Sequence, residues 1–276
     1  MPLLTPTKGR LKVITNSGIV GTATPGTGVP SNATTLLDGA VTELISAANN
    51  TQDSWGISVN ISATGSSATP AEACLDILIG GATDDVLIPA LICGYAGVNQ
   101  GGYTYFFPLH IPQGVRIAAI LASVRTSITS QVIVNLYGGS PSPWRTGRRV
   151  TAYGTQINNA RGQAVVPTAS GGAASVTQMT ASSTYDHFAF IPGFQPATDS
   201  TLTPAGTINI GIGTGAATEE RIGTWWFTKT TAEDCTGPTI GMPVFQEVPA
   251  ATRLTMLASN SGANDAAYDG LIYGVS

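Results

Sequence analysis

The stretch FFPLHIPQGVRIAAILASVRTSITSQVIVNLYG, residues Phe106 to Gly138, decides the fold. Pro112-Gln113-Gly114 is a turn sequence, because proline presets φ and glycine accepts positive φ. From Val115 the chain is interpreted as alternating, with Ile117, Ala119 and Leu121 on one side and Arg116, Ala118 and Ala122 on the other. A period of two is that of a half-buried strand. A polar loop then leads into Val132 to Gly138, a second strand. The stretch therefore predicts a turn followed by a pair of strands.

The same passage recurs near the end of the sequence, in Val244 to Gly274. Pro249 and Arg253 stand 137 positions after Pro112 and Arg116. Further strand-like segments match at offsets between 133 and 138 residues, so insertions between the copies have the size of loops. Self-similarity at a nearly fixed period indicates repeated units. The sequence therefore predicts two copies of one unit.

Composition and strand spacing predict the fold class. The chain has 276 residues, 42% hydrophobic residues, 33 glycines and only 10% charged residues, against about 25% in a typical soluble domain. Each unit shows seven or eight short strands with turn signals every ~8–12 residues. We expect an all-β protein of two tandem antiparallel β-sandwich, jelly-roll-like domains. The predicted boundaries are 1–8 for an N-terminal arm, 9–138 for the first domain, 139–146 for a Gly/Pro/Ser linker and 147–276 for the second domain.

Charge and hydropathy exclude several classes of partner. The net charge of −4 argues against binding to nucleic acid. No apolar run approaches the ~20 residues that span a membrane, and the N-terminus lacks the pattern of a signal peptide. So few charges indicate a surface that is largely covered by partners. The three cysteines, Cys74, Cys93 and Cys235, are interpreted as buried free thiols.

The sequence offers no catalytic, cofactor or metal motif. His110 and His187 are isolated and have no counterpart in the other copy, so both are interpreted as structural or surface residues. No nucleophile elbow, zinc spacing or phosphate-binding loop occurs. Asp84-Asp85 and Glu219-Glu220 occupy equivalent loops that could offer oxygen ligands to Ca²⁺, but we favour solvated hairpin tips. The sequence predicts no cofactor and no enzymatic activity.

Six residues are predicted to lie at an interface. Arg116 and Arg253 face away from the apolar side of their strands, which in so uncharged a chain indicates an ion pair or an interface, with an exposed arginine as the alternative. In Trp225-Trp226-Phe227, alternation leaves Trp226 on the outer face, where it is suited to stack on a sugar or a neighbouring subunit. Aromatic residues that differ between the copies complete the set. The predicted interface residues are Arg116, Arg253, Trp225, Trp226, Tyr103 and Tyr105.

The segments PLHIPQGVRIAA (108–119) and VNLYGG (134–139), preceded by DILIGG (76–81), resemble structural proteins of tailed bacteriophages. The resemblance implies a non-enzymatic virion component built from β-sandwich modules and present in many copies. It would assemble on the capsid, neck or tail, as a decoration or accessory protein. Its partners would be other virion proteins and other copies of itself, in a ring or trimer that covers strand edges.

Two other functions remain open. The first is a carbohydrate- or receptor-binding module of a tail or baseplate, with a surface glycan as partner. Exposure of Trp226 or Trp144 in a groove would favour it. The second is a sandwich-fold depolymerase, which would require carboxylates clustered in a cleft.

Overall fold

The computed structural model describes residues 12–16, 26–64, 72–81, 83–94, 102–138, 145–155, 161–169, 173–197, 206–215, 219–229, 235–236, 242–262 and 267–276. Nineteen strands and no helix occur in these residues. Every strand pair is antiparallel, and the strands form four sheets. The all-β prediction is confirmed.

The first nine strands build one jelly roll from two facing sheets. One sheet has the order β1-β9-β4-β7, with β2 also paired to β9, and the other has the order β3-β8-β5-β6. Their bounds are β1 Lys12–Asn16, β2 Thr27–Pro30, β3 Thr42–Ile45, β4 Gly56–Thr64, β5 Ala73–Gly80, β6 Asp84–Ile92, β7 Tyr103–Phe107, β8 Arg116–Ser123 and β9 Thr129–Gly138.

The remaining strands repeat this arrangement. One sheet has the order β10-β19-β13-β17, with β11 also paired to β19, and the other has the order β12-β18-β14-β15-β16. Among the described strands, only the short β16 has no equivalent in the first set. Their bounds are β10 Val150–Tyr153, β11 Gln163–Val165, β12 Ser175–Thr180, β13 His187–Pro196, β14 Gly206–Thr214, β15 Glu220–Lys229, β16 Cys235–Thr236, β17 Val244–Val248, β18 Leu254–Asn260 and β19 Tyr268–Val275.

The shared strand order confirms two tandem jelly-roll domains related by internal duplication. The arm at 1–8 and residues 139–144 of the linker lie outside the described residues, so the exact boundaries stay predictions. Strands β2 and β11 hold equivalent places in the two domains. Both pair with the beginning of the last strand of their domain.

The prediction that the two strands of Phe106 to Gly138 pair with each other is wrong. β8 pairs with β3 and β5, whereas β9 pairs with β1, β2 and β4. The loop between them carries the chain from one sheet of the sandwich to the other. Residues of β9 alternate between buried and half-buried, as in a strand with only one face on the core.

The turn before β8 is confirmed, and the second domain repeats its backbone. Gly114 has a φ of 76°, and its N–H donates to the carbonyl of Asn50 at 2.7 Å. Ala251 has a φ of 62°, and its N–H donates to the carbonyl of Ser183 at 2.8 Å. The second domain therefore makes the same left-handed turn with an alanine, and the Cβ of Ala251 strains the backbone there.

The two domains share a buried apolar contact, which we call the seam. Every residue of β19 is buried, although its equivalent β9 is half-exposed on its outer face. Leu271, Tyr273 and Val275 of β19 belong to the same hydrophobic cluster as the core of the first domain. Strand β6 of the first domain contacts β10 and β13 of the second.

Two of the three cysteines lie in the first domain close to the seam. Cys74 and Cys93 are free and buried, as predicted. Burial raises the pKa of both thiols. The side chain of Cys235 lies outside the described residues.

Candidate functional site

Tyr273 of the second domain closes the edge of strand β6 at the seam. Its hydroxyl accepts from the N–H of Ile92 at 2.8 Å and donates to the carbonyl of Ala90 at 2.7 Å. The Tyr105 hydroxyl donates to the carbonyl of Ile92 at 2.6 Å. Ala90 has a φ of 51°, and its N–H donates to Asp76 Oδ1 at 2.6 Å. Edge strands offer unpaired backbone groups to other chains, and at the end of β6 the groups of Ala90 and Ile92 are satisfied within the molecule.

A cluster of ionisable and polar side chains is buried in the seam. Glu72 and Asp269 are 1% and 5% exposed. Arg161 Nε lies 2.6 Å from Glu72 Oε2, and Gln195 Nε2 donates to Asp269 Oδ2 at 3.2 Å. Burial, and then the negative charge of Glu72, raise the pKa of Asp269 to about 7, against the opposing effects of Gln195 and Arg161. Asp269 therefore titrates near neutral pH inside the contact between the domains.

A cavity of about 580 Å³ opens at the surface end of the seam, and we call it the seam cavity. The β5–β6 hairpin contributes Asp85 and Val86, and the segment before the turn at Gly114 contributes His110. Arg148 and Arg149, at the start of the second domain, line the other side. The cavity thus combines two guanidinium groups, one carboxylate and an imidazole with apolar surface.

A second, smaller cavity of about 250 Å³ lies at the equivalent turn of the second domain. It is lined by Arg145, Asp186, His187 and Glu247, among others. Arg145 Nη1 lies 2.8 Å from Glu247 Oε1, so the arginine of this cavity already has a counter-ion. Its charge is therefore less available to a ligand than the charges of the seam cavity.

Arg116 and Arg253 are paired inside their own domains. Arg116 forms an ion pair with Asp84, and Arg253 forms one with Glu219. Their side chains remain 27% and 24% exposed. The equivalent arginines of the two copies thus bind the equivalent acids of the two hairpin tips. Of the alternatives open from sequence, the structure favours the ion pair.

The pairing also accounts for the acidic hairpin tips. Arg253 Nη1 donates in addition to the carbonyl of Gly215 at 2.8 Å, which ties the tip of the β14–β15 hairpin to β18. Among the residues that the structure describes, no group of three or more His, Cys, Asp or Glu side chains is placed to hold a metal ion.

Tyr103 and Tyr105 correct the predicted interface set. They are 3% and 1% exposed and belong to the core of the first domain. They lie on the inner face of β7 and stack with ring centroids 6.2 Å apart. A side chain buried within the chain offers no area to a separate partner, so both are removed from the set. Tyr105 does lie at an interface, but that interface is the seam.

The tryptophan pair follows the predicted alternation. Phe227 is fully buried and Trp225 packs against the core of the second domain, whereas Trp226 is 72% exposed. Trp225 Nε1 donates to the carbonyl of Met242 at 3.4 Å. Trp226 lines neither of the two cavities. Trp144 lies outside the described residues.

The two histidines have different roles. His187 is 2% exposed, and its Nε2 lies 2.7 Å from the hydroxyl of Tyr153. Burial lowers the pKa of His187, which fits the predicted structural role. His110 lines the seam cavity. The sequence signals for this site were the basic cluster around Arg148 and a histidine without a counterpart, but only the docking of the domains brings them together.

Comparisons with known proteins add little about function. Neither a family model nor a curated protein sequence matches this chain. Of the solved structures, PNGF-II aligns with a TM-score of 0.37 and 8% identity over 95% of this chain and 65% of that chain, so this chain spans less than two thirds of its length. A chain of Broad Bean Stain Virus aligns with a TM-score of 0.36 and 9% identity over 100% of this chain and 92% of that chain. The CBM22-1-CBM22-2 tandem domain of Xyn10C from Paenibacillus barcinonensis gives 0.28 and 10%, over 99% of both.

These scores are too low to support a functional argument, and the jelly-roll assignment rests on the strand order. Within the described residues no helix has the length and apolar character needed to cross a membrane.

Proposed function

We propose that this chain is a non-enzymatic structural component of a tailed-phage virion, present in many copies on the capsid, neck or tail. The observation that carries the proposal is the seam. It joins two jelly rolls through a continuous apolar cluster and covers the edge of β6. Such a block presents a fixed shape, which is what a particle component contributes to its assembly.

The use of charge supports the same proposal. The chain is only 10% charged, and the ion pairs of Arg116, Arg253 and Arg161 fix hairpins or the seam. Large apolar side chains meanwhile stand on the surface, such as Phe245, which is 48% exposed. A sparsely charged surface with exposed aromatic residues is suited to burial against neighbouring subunits.

Strand β17 is the surface that we assign to contact with a second copy of the chain. It lies at the end of the strand order in its sheet, and three successive residues, Phe245 to Glu247, are exposed. Phe245 stacks on Phe188, with ring centroids 6.5 Å apart, and Phe188 belongs to the apolar cluster of the seam. An apolar surface on an edge strand that continues a buried interface is a favourable site for pairing between copies.

Mass spectrometry of purified phage particles, together with light scattering of the isolated protein, tests this function. We expect the chain in the particles and an oligomer in solution that Phe245→Ser weakens. Leu37→Ser, at a 53% exposed residue of the first domain, is the control and should leave the oligomer intact. A strictly monomeric protein that is absent from particles would overturn the proposal.

A second candidate is a carbohydrate- or receptor-binding module of the tail or baseplate. The exposure of Trp226 favours it, because a tryptophan ring on an open β-face can stack on a sugar. Glycan-array binding of the intact protein, compared with Trp226→Ala, tests it. Binding that the substitution removes would support a receptor role at this residue, and an array without any bound glycan would count against it.

A further inference from the structure

We propose that the seam cavity binds a sugar that carries a carboxylate, such as a sialic or uronic acid. This inference rests on the carbohydrate-binding function, the second of the proposed functions, and places its ligand in the seam cavity rather than at Trp226. The cavity measures about 580 Å³, within the range of roughly 300–1,000 Å³ that small-molecule sites occupy. Both domains contribute to it, so the site exists only in the docked molecule.

The charge of the lining residues fits a singly charged anion. The described lining contains Arg148, Arg149 and one carboxylate residue, Asp85. The two arginines and this aspartate together carry one net positive charge. A carboxylate carries one negative charge, whereas a phosphate monoester carries about −1.5 to −2 at neutral pH. Guanidinium groups bind carboxylates through two parallel hydrogen bonds.

The backbone of both arginines is fixed, and the side chain of Arg149 is restricted. Their backbone N–H groups donate to the carbonyl of Ser276 at 2.8 and 3.2 Å. The Arg149 guanidinium lies 4.5 Å from the centre of the Tyr185 ring, a cation–π contact that restricts the side chain. Restricted side chains lose less conformational entropy when a ligand binds.

The rest of the lining matches the neutral part of a sugar. Val86, which is 54% exposed, and Pro112 offer apolar surface to the C–H face of a pyranose ring. Asp85 and His110 supply an acceptor and a donor for hydroxyl groups. The backbone N–H of His110 donates to the carbonyl of Gly147 at 2.8 Å, which fixes this residue across the seam. An anion without an apolar face and hydroxyls would leave these groups unused.

Binding to four probes tests the inference: N-acetylneuraminic acid, glucuronic acid, glucose and inorganic phosphate. Saturation-transfer NMR and calorimetry on the intact protein should detect one of the acidic sugars and neither glucose nor phosphate. The double variant R148A/R149A should weaken binding by about tenfold or more, the loss expected for a charge-assisted pair. Arg145→Ala is the matched control, because its guanidinium is outside the seam cavity, and should bind like the parent.

A second variant guards against misfolding of the first. Val86→Trp fills the cavity at an exposed position without changing its charge, and it should also abolish binding. Equal binding of phosphate, retained binding in R148A/R149A, or no binding of either acid would each overturn the inference. Sugar binding that Trp226→Ala removes and R148A/R149A leaves intact would overturn the inference while the proposed receptor function stands.

Discussion

Replacing Asp269 by asparagine should stabilise the protein at neutral and alkaline pH. The carboxyl is 5% exposed, and burial next to Glu72 raises its pKa to about 7, from an ordinary value of 3.8. Each pH unit between these values corresponds to about 1.36 kcal/mol. The difference between the two pKa values therefore corresponds to about 4 kcal/mol of folding free energy. The folded protein loses this stabilisation when the buried carboxyl ionises.

The sign of the change in stability with pH follows from proton binding by Asp269. Between pH 3.8 and about 7 the folded protein holds a proton on Asp269 that the unfolded chain releases. The contribution of this group is therefore fully present below pH 3.8 and is lost as the pH rises through about 7. Above that pH a charged Asp269 lies beside the Glu72–Arg161 ion pair, and the seam is at its weakest. An asparagine side chain at this position would keep the shape and the hydrogen-bonding capacity but would not ionise.

Urea unfolding followed by tryptophan fluorescence at pH 4.5 to 8.5 measures the effect. The free-energy difference between Asp269→Asn and the parent should grow in favour of the variant from pH 4.5 to about 7, and then level off. His187, whose pKa is lowered by burial, destabilises the fold below its ordinary value of 6.5, but it is common to both proteins and cancels. Glu220→Gln, which removes a carboxyl from an exposed side chain, is the control. A difference that is the same at pH 5 and pH 8 would refute the reasoning.

Three more predictions concern the framework. Ala251→Gly should stabilise the protein by about 0.5–1 kcal/mol, because glycine removes the strain of a left-handed alanine at φ 62°. Gly114→Ala should destabilise it by about 1 kcal/mol, because it introduces the same strain. Urea unfolding measures both, and changes in unfolding free energy of the same sign would contradict the strain argument. Tyr273→Phe should cost about 2–4 kcal/mol, because two buried backbone groups lose their partner, whereas Tyr137→Phe should cost less than about 1 kcal/mol at a half-exposed hydroxyl. In a Cys235→Ser variant, the buried thiols of Cys74 and Cys93 should resist alkylation until the chain unfolds. Rapid labelling of the native protein would show instead that the seam opens.

The duplicated jelly roll was predictable because its signals are local. Alternation marks β9, whereas β8 is buried on both faces apart from Arg116 and Ile120. The turn at Pro112 is repeated at Pro249. The pairing of those strands was not predictable in the same way. Alternation shows which side of a strand is buried but not which sheet the strand joins, and a loop of a few residues serves a hairpin as well as a crossing between layers.

The sites were harder to predict than the fold because they depend on contacts between the domains. Tyr105 looks like an exposed aromatic residue in a strand, yet the core and the seam enclose it. Arg148 and His110 are 38 positions apart in the sequence and meet only because the second domain docks beside the turn of the first. In contrast, Arg253 and Glu219 could be paired from sequence, since the repeat shows that the same charges are kept in both copies.

The two copies of the closing strand differ on the outer face, which in the second domain forms the seam. In β19 the outer face carries Leu271 and Tyr273, which bury against the first domain. In β9 the outer face carries Ile133 but is otherwise mostly polar. On it, Asn135 Nδ2 donates to Ser58 Oγ at 3.1 Å, and Ser58 Oγ lies 3.1 Å from the hydroxyl of Tyr137. Docking this face onto a second copy would bury three polar side chains that already satisfy one another, and would cover few apolar side chains besides Ile133. The self-association that we propose would therefore use another surface, and the exposed edge at β17 is the surface assigned to it.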